Sequence, residues 1–91
     1  MSNQNILVYG VNWCGDCRRT RRFLNEHAIE YQWIDIDIDK KGEEFVRKAN
    51  RGYRSVPTII FEDGSILTEP SNNQLAMKLG IAETTLTPSS L

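Results

Sequence analysis

The sequence predicts an α/β domain, a four-stranded mixed sheet flanked by three helices. Short β-type runs alternate with helical stretches through the first half, the order of a strand–helix–strand crossover followed by a second helix. Two further β runs are then separated by an Asp-Gly turn, the mark of an antiparallel hairpin. At 91 residues the chain is one small domain, near the size at which a single core suffices without staples. Residues 1–80 are assigned to that domain and 81–91 to a polar tail expected to fray.

Ile6 to Tyr9 is a continuous apolar run, as in a buried central strand, and Gly10 to Trp13 make the loop after it. Arg18 to His27 reads as the first helix. Tyr31 to Ile38 alternates, with Trp33, Asp35 and Asp37 on one parity and Ile34, Ile36 and Ile38 on the other, the period of a strand with one wet face. Asp39 caps a second helix from about Lys40 to Asn50, with Phe45, Val46 and Ala49 facing inward and Gly52 as its stop. Thr58 to Phe61 and Ile66 to Thr68 form the hairpin around Glu62-Asp63-Gly64-Ser65. Ser71 with Gln74 three residues later is a capping box, so a third helix starts at about Asn72, carries Leu75, Met77 and Leu79 and ends at Gly80.

Apolar content of 40% and charged content of 25% are near globular averages, and a net charge of -1 gives no global pull toward nucleic acid or a membrane surface. Met1 to Asn5 is polar and uncharged, and the apolar stretch after it is too short for a secretory core or a membrane span. A cytoplasmic monomer is expected, with neither nucleic acid nor membrane as partner. Thiols are held reduced in that compartment, so a CxxC pair there points to catalysis rather than to a structural bridge.

The pair is Cys14-Gly15-Asp16-Cys17, placed at the junction of the first strand and the first helix. A thiolate at a helix N-terminus sees unpaired N–H groups and the positive end of the macrodipole, which favours the charged, nucleophilic form. Cys14 has that position. Cys17 follows almost one turn later on the same face, where it can attack a mixed disulfide formed at Cys14. Two other readings compete. Half of a zinc site needs four ligands, but the chain has no third Cys and only His27. A static disulfide suits small secreted domains with several bridges. Dithiol redox chemistry is the reading that remains.

The order of elements, Trp13-Cys14-Gly15-Asp16-Cys17, Ser55-Val56-Pro57-Thr58, and Asp63-Gly64-Ser65 leading to Thr68-Glu69-Pro70-Ser71 resemble the thioredoxin fold in its glutaredoxin form. Among subfamilies the sequence looks most like the mycoredoxins. The resemblance covers nearly the whole chain. It implies that Cys14 attacks, that Cys17 resolves, that Pro57 follows a cis peptide bond, and that the Val56 backbone pairs with the peptide of a bound thiol. From sequence alone a trans bond at Pro57 would be favoured heavily.

The departures from the family pattern bear on the substrate. Typical glutathione-using members have a paired-glycine turn after the hairpin and an acid at the start of the last helix. Here Thr68-Glu69-Pro70-Ser71-Asn72 stands in that place. Pro70 removes a donor and Asn72 lacks a charge, which leaves Ser71, Asn72 and the helix N-terminus to bind a carboxylate or a sugar hydroxyl. The small thiol is then glutathione or mycothiol. Trp13 is assigned to a wall of the thiol groove, and Arg18 to the thiolate or an anionic thiol. Arg19, Arg21 and Arg22 are assigned to a solvated face, and Asp16 to a first-turn acid that favours the helix while opposing a neighbouring thiolate. His27 reads as a dipole-compatible helix end.

The function expected is a thiol–disulfide oxidoreductase acting on disulfide-containing proteins or protein–small-thiol mixed disulfides, with no bound metal or organic cofactor. Two alternatives stand beside it. One is a thioredoxin-like electron donor recharged by an NADPH-dependent flavoprotein reductase. The other is a noncatalytic module in which two protomers share an iron–sulfur cluster through Cys14.

Overall fold

A computed structural model describes residues 5–81. Its elements are β1 (Leu7–Gly10), α1 (Gly15–Glu26), β2 (Gln32–Asp35), α2 (Lys40–Ala49), β3 (Thr58–Ile60), β4 (Ile66–Thr68) and α3 (Asn72–Leu79). The sheet order is β2-β1-β3-β4. β1 pairs parallel with β2 and antiparallel with β3, and β4 returns antiparallel to β3. The anticipated four-stranded mixed sheet with three helices is therefore present.

Alternation along β1 divides the core. Ile6 and Val8 point to one face, where Phe23 and Leu24 of α1, Leu75 and Ala76 of α3, Ile59 and Phe61 close around them. Tyr9 points to the other face and stacks on Phe45 of α2, ring centroids 4.7 Å apart, beside a smaller cluster of Val11, Ile36 and Val46. Helices thus cover both faces of the sheet, α1 and α3 on one and α2 on the other.

Local chemistry sets the helix starts. Asp39 accepts from the Gly42 N–H at 2.9 Å and caps α2. Ser71 and Gln74 form the capping box of α3, with Ser71 Oγ accepting from the Gln74 N–H at 3.1 Å and Gln74 Oε1 accepting from the Ser71 N–H at 2.8 Å. Gly80 takes the left-handed conformation, and the Ile81 N–H returns to the Ala76 carbonyl at 2.8 Å. Ile81, read from sequence as the first residue of a frayed tail, packs against the larger core. The remainder of the expected tail, residues 82–91, and residues 1–4 lie outside the described residues.

Four expectations need correction. β2 stops at Asp35, because its carbonyl accepts from the N–H groups of Ile38 and Asp39 and turns the chain. Ile38 is left 79% exposed, off the face that holds Ile36. β2 has no wholly wet face either, since Trp33 packs against the larger core. On α2, Ala49 is exposed and Gly42 is buried in its place. A Cβ on Gly42 would stand 2.9 Å from Ile34 Cγ2, so the first turn of α2 lies directly on the sheet. On α3, Leu75 and Ala76 are buried while Met77 is 82% exposed. Positions 75, 76 and 79 share a helical face, whereas 75, 77 and 79 do not.

Candidate active site

β1 ends at Gly10, and Val11 to Trp13 carry the chain across the sheet edge into α1. Cys14 is the N-cap of α1, with extended backbone (φ -92°, ψ 126°), and its sulfur accepts from the Cys17 N–H at 3.4 Å. Cys14 is partly exposed, and both cysteines are free thiols. Cys17, one turn on, has 0% exposure. Burial pushes its thiol up from 9.0 to about 12; a backbone hydrogen bond from Val11 opposes this, and the neighbouring Cys14 adds to the rise. The pair is thereby divided into an accessible sulfur at a positive helix end and a protonated one beneath it.

Opposite the motif, Val56 packs with Cys14 against the Val11, Ile36 and Val46 cluster. The Val56–Pro57 peptide bond is cis. The Val56 N–H and carbonyl have no hydrogen-bond partner among the described residues. Pro57 is buried, and its carbonyl accepts from the Glu69 N–H at 2.8 Å, which folds the 68–70 stretch against this segment. Glu69 adopts φ +52° there, and Pro70 is buried beside it.

Ser71 and Asn72 stand at the N-terminus of α3. The Ser71 hydroxyl oxygen and N–H are engaged in the capping box, and Asn72 Oδ1 accepts from Arg19 at 3.2 Å. The same guanidinium pairs with Asp16 at 3.3 Å. Arg19, assigned from sequence to a solvated face, therefore ties the CxxC turn to the start of α3 and sets a positive charge against Asp16. Arg18 is exposed, and its hydrogen bond goes to the Asn12 carbonyl at 3.2 Å rather than to a cysteine sulfur.

Trp13 is 68% exposed and flanks the motif. Its indole N–H donates to Asp37 at 2.9 Å, and Asp37 also accepts from Arg54, which pairs in turn with Glu43 at 3.1 Å. These contacts hold the Asp37 carboxyl below its usual range, the Arg54 bond contributing most and the Trp13 bond next. Asp37 and Arg54 did not emerge from sequence as site residues. The need of an indole N–H for an acceptor, with Asp35, Asp37 and Asp39 at and just after the end of β2, was the available signal. Among the described residues no His, Cys, Asp and Glu side chains group in threes to hold a metal ion. No helix among them is long and apolar enough to cross a membrane.

Comparison with known proteins matches residues 6–66 to the Glutaredoxin family. A Mycobacterium tuberculosis protein provisionally named a glutaredoxin is 40% identical over 74 residues, covering 81% of this chain and 88% of that protein. Mycoredoxin 1 of Corynebacterium glutamicum is 35% identical over 75 residues, covering 82% and 92% respectively. Among solved structures, a variant of the thioredoxin-like protein BC3987 superposes with TM-score 0.74 at 25% identity, over 84% of this chain and 95% of that one.

Proposed function

The chain belongs to the glutaredoxin family, and from that premise we propose that it is a thiol–disulfide oxidoreductase working through Cys14 and Cys17. The Cys14 thiolate attacks one sulfur of a substrate disulfide, expelling the other as a thiolate that takes up a proton. Cys17 loses its proton as its sulfur attacks Cys14 of the mixed disulfide, so the substrate leaves fully reduced and a Cys14–Cys17 disulfide closes. Two equivalents of a small thiol then reopen it. On a protein–small-thiol mixed disulfide, Cys14 alone takes the small thiol and a second molecule of that thiol regenerates it.

The division of the pair carries this reading: a partly exposed Cys14 at the α1 N-cap above a wholly buried Cys17 whose N–H reaches its sulfur. A buried thiol with its proton on is spared from outside reagents and becomes competent only when its neighbour is already bonded. The unpartnered Val56 N–H and carbonyl offer main-chain pairing to the peptide of the bound thiol. No prosthetic group takes part, the protein works as a monomer, and a reducing cytoplasm is the compartment in which the dithiol would persist.

Mycothiol is the first small thiol to try, given the Mycoredoxin 1 relative, and glutathione the second. With Ser71 Oγ and N–H engaged in the cap beside the Glu69-Pro70 turn, first-turn backbone N–H groups of α3 are the main-chain donors available to an anionic end of either thiol. That same economy favours one alternative, a thioredoxin-like donor recharged by an NADPH-dependent flavoprotein reductase. The test is the rate at which oxidised protein is reduced by mycothiol, by glutathione, and by NADPH with thioredoxin reductase, followed by tryptophan fluorescence with Cys14→Ser as blank. Fast reduction by one small thiol supports the proposal, and reduction only through the reductase transfers the protein to the alternative.

A further inference from the structure

Arginines in this protein fall into two groups. Arg19 pairs with Asp16, Arg47 with Glu43, and Arg54 with Asp37 and Glu43. Arg18, Arg21, Arg22 and, away from them after α2, Arg51 have no carboxylate partner among the described residues. The three on α1, Arg18, Arg21 and Arg22, line one open depression together with Asn25 and Glu26.

Two of these side chains are nonetheless held. Arg18 donates to the Asn12 carbonyl at 3.2 Å, Arg21 donates to Asn12 Oδ1 at 3.4 Å, and the Arg21 guanidinium lies 4.1 Å above the Trp33 ring. Every anchor is neutral. A neutral acceptor or an aromatic face orients a guanidinium without cancelling its charge, whereas a merely solvated run of arginines leaves its side chains unanchored. The acidic residues of β2 and α2 form no salt bridge with these arginines, and Asp35 meets them only through the shared Asn12. Asp37 and Glu43 are committed to Arg54, Asp35 to the Asp37 N–H and Asn12, and Asp39 to the α2 cap.

We propose that the α1 face of Arg18, Arg21 and Arg22 is a docking surface for an acidic segment of the disulfide-bearing protein substrate, a proposal that rests on the oxidoreductase reading above. Arg18 lies one turn from Cys14, and Arg22 about 6 Å further along the axis. Chain flanking a disulfide at Cys14 would meet this face first. The span suits two or three carboxylates. A nucleic acid duplex carries a charge about every 1.7 Å of its axis and engages a longer basic track, which a net charge of -1 does not provide.

The test compares two peptides with the same intramolecular disulfide, one flanked by Glu and the other by Gln, with bis(2-hydroxyethyl) disulfide as a small neutral substrate. At low ionic strength the wild-type kcat/KM should favour the Glu peptide by about tenfold, and the preference should fall toward unity as salt shortens the screening length. In Arg21→Gln/Arg22→Gln the ratio of Glu-peptide to Gln-peptide rates, read in one preparation so that folding cancels, should also fall toward unity. Equal wild-type rates on the two peptides overturn the proposal. So does tight oligonucleotide binding at about 0.15 M salt without any peptide preference, which would assign the arginines to nucleic acid. Failure of the wild type to reduce the neutral disulfide would instead remove the oxidoreductase reading, and the docking surface with it.

Discussion

The Cys17 sulfur occupies the space that a side chain on Gly10 would need: a Cβ there would stand 2.7 Å from Cys17 Sγ and 2.7 Å from Trp33 Cη2. The last residue of β1 thus makes room for the buried thiol. Gly10→Ala should destabilise the reduced protein by about 1–3 kcal/mol, the cost of forcing a methyl group into a packed site. It should also slow closure of the Cys14–Cys17 disulfide, since the displaced atom is the attacking sulfur. Denaturant melts and single-turnover oxidation of the variant check both. A loss below about 0.5 kcal/mol, the range of an ordinary surface change, would show that the site yields easily.

Cys17 should keep its proton under ordinary conditions. Cys17 has a thiol pushed up to about 12, against 9.0 ordinarily, so ultraviolet titration of Cys14→Ser should show no thiolate step below about pH 10. The sign of the stability effect follows. The folded state keeps a proton that the unfolded chain gives up, so the contribution is full below about pH 9 and is lost as pH rises toward 12. The reduced protein should therefore weaken from about pH 9 upward, and Cys17→Ala should lack that part of the fall. Parallel pH dependences in the two proteins would place the cause elsewhere.

Local structure followed from local signals. Asp39, Ser71 with Gln74, and Asp63-Gly64 sit where their short-range hydrogen bonds or turn geometry require, and Cys14 and Cys17 lie at the strand–helix junction. Met77 was misplaced because 75, 77 and 79 break the helical period, whereas Ala49 keeps that period with Phe45 and Val46 and is exposed at the last residue of α2. Long-range partnerships were not legible. Arg19 reaches Asn72 across 53 residues of chain and Trp13 reaches Asp37 across 24, and no local pattern encodes such pairings. The close approach at Gly10 is hidden likewise, because a glycine before a loop reads as a turn residue rather than as space for a sulfur.

Ser71 separates stability from recognition. Its Oγ and N–H are both used by Gln74, so Ser71→Ala should cost about 1 kcal/mol of stability through the lost cap, and Ser71→Asp, another capping residue, should retain most of it. The KM for the small thiol should follow neither change. A raised KM in Ser71→Ala with an unaltered denaturation midpoint would mean that the hydroxyl contacts the thiol instead.

The contact between Trp13 and Asp37 offers a pH-dependent signal at the edge of the motif. Arg54 and Trp13 together hold the Asp37 carboxyl below its ordinary 3.8. A depressed acid keeps its contacts at all higher pH and gives them up only as pH falls through the lowered value. Trp13 fluorescence, taken as the difference between wild type and Trp13→Phe, should therefore change at a midpoint below 3.8. Removing the larger influence in Arg54→Gln should move that midpoint upward, toward the ordinary value. Asp37→Ala should abolish the transition and broaden the peptide selectivity of the site, because the exposed indole beside Cys14 would lose its tether. An identical midpoint with and without the Arg54 guanidinium would show that Trp13 reports on some other group, and that the Asp37–Arg54 pair does not position the indole.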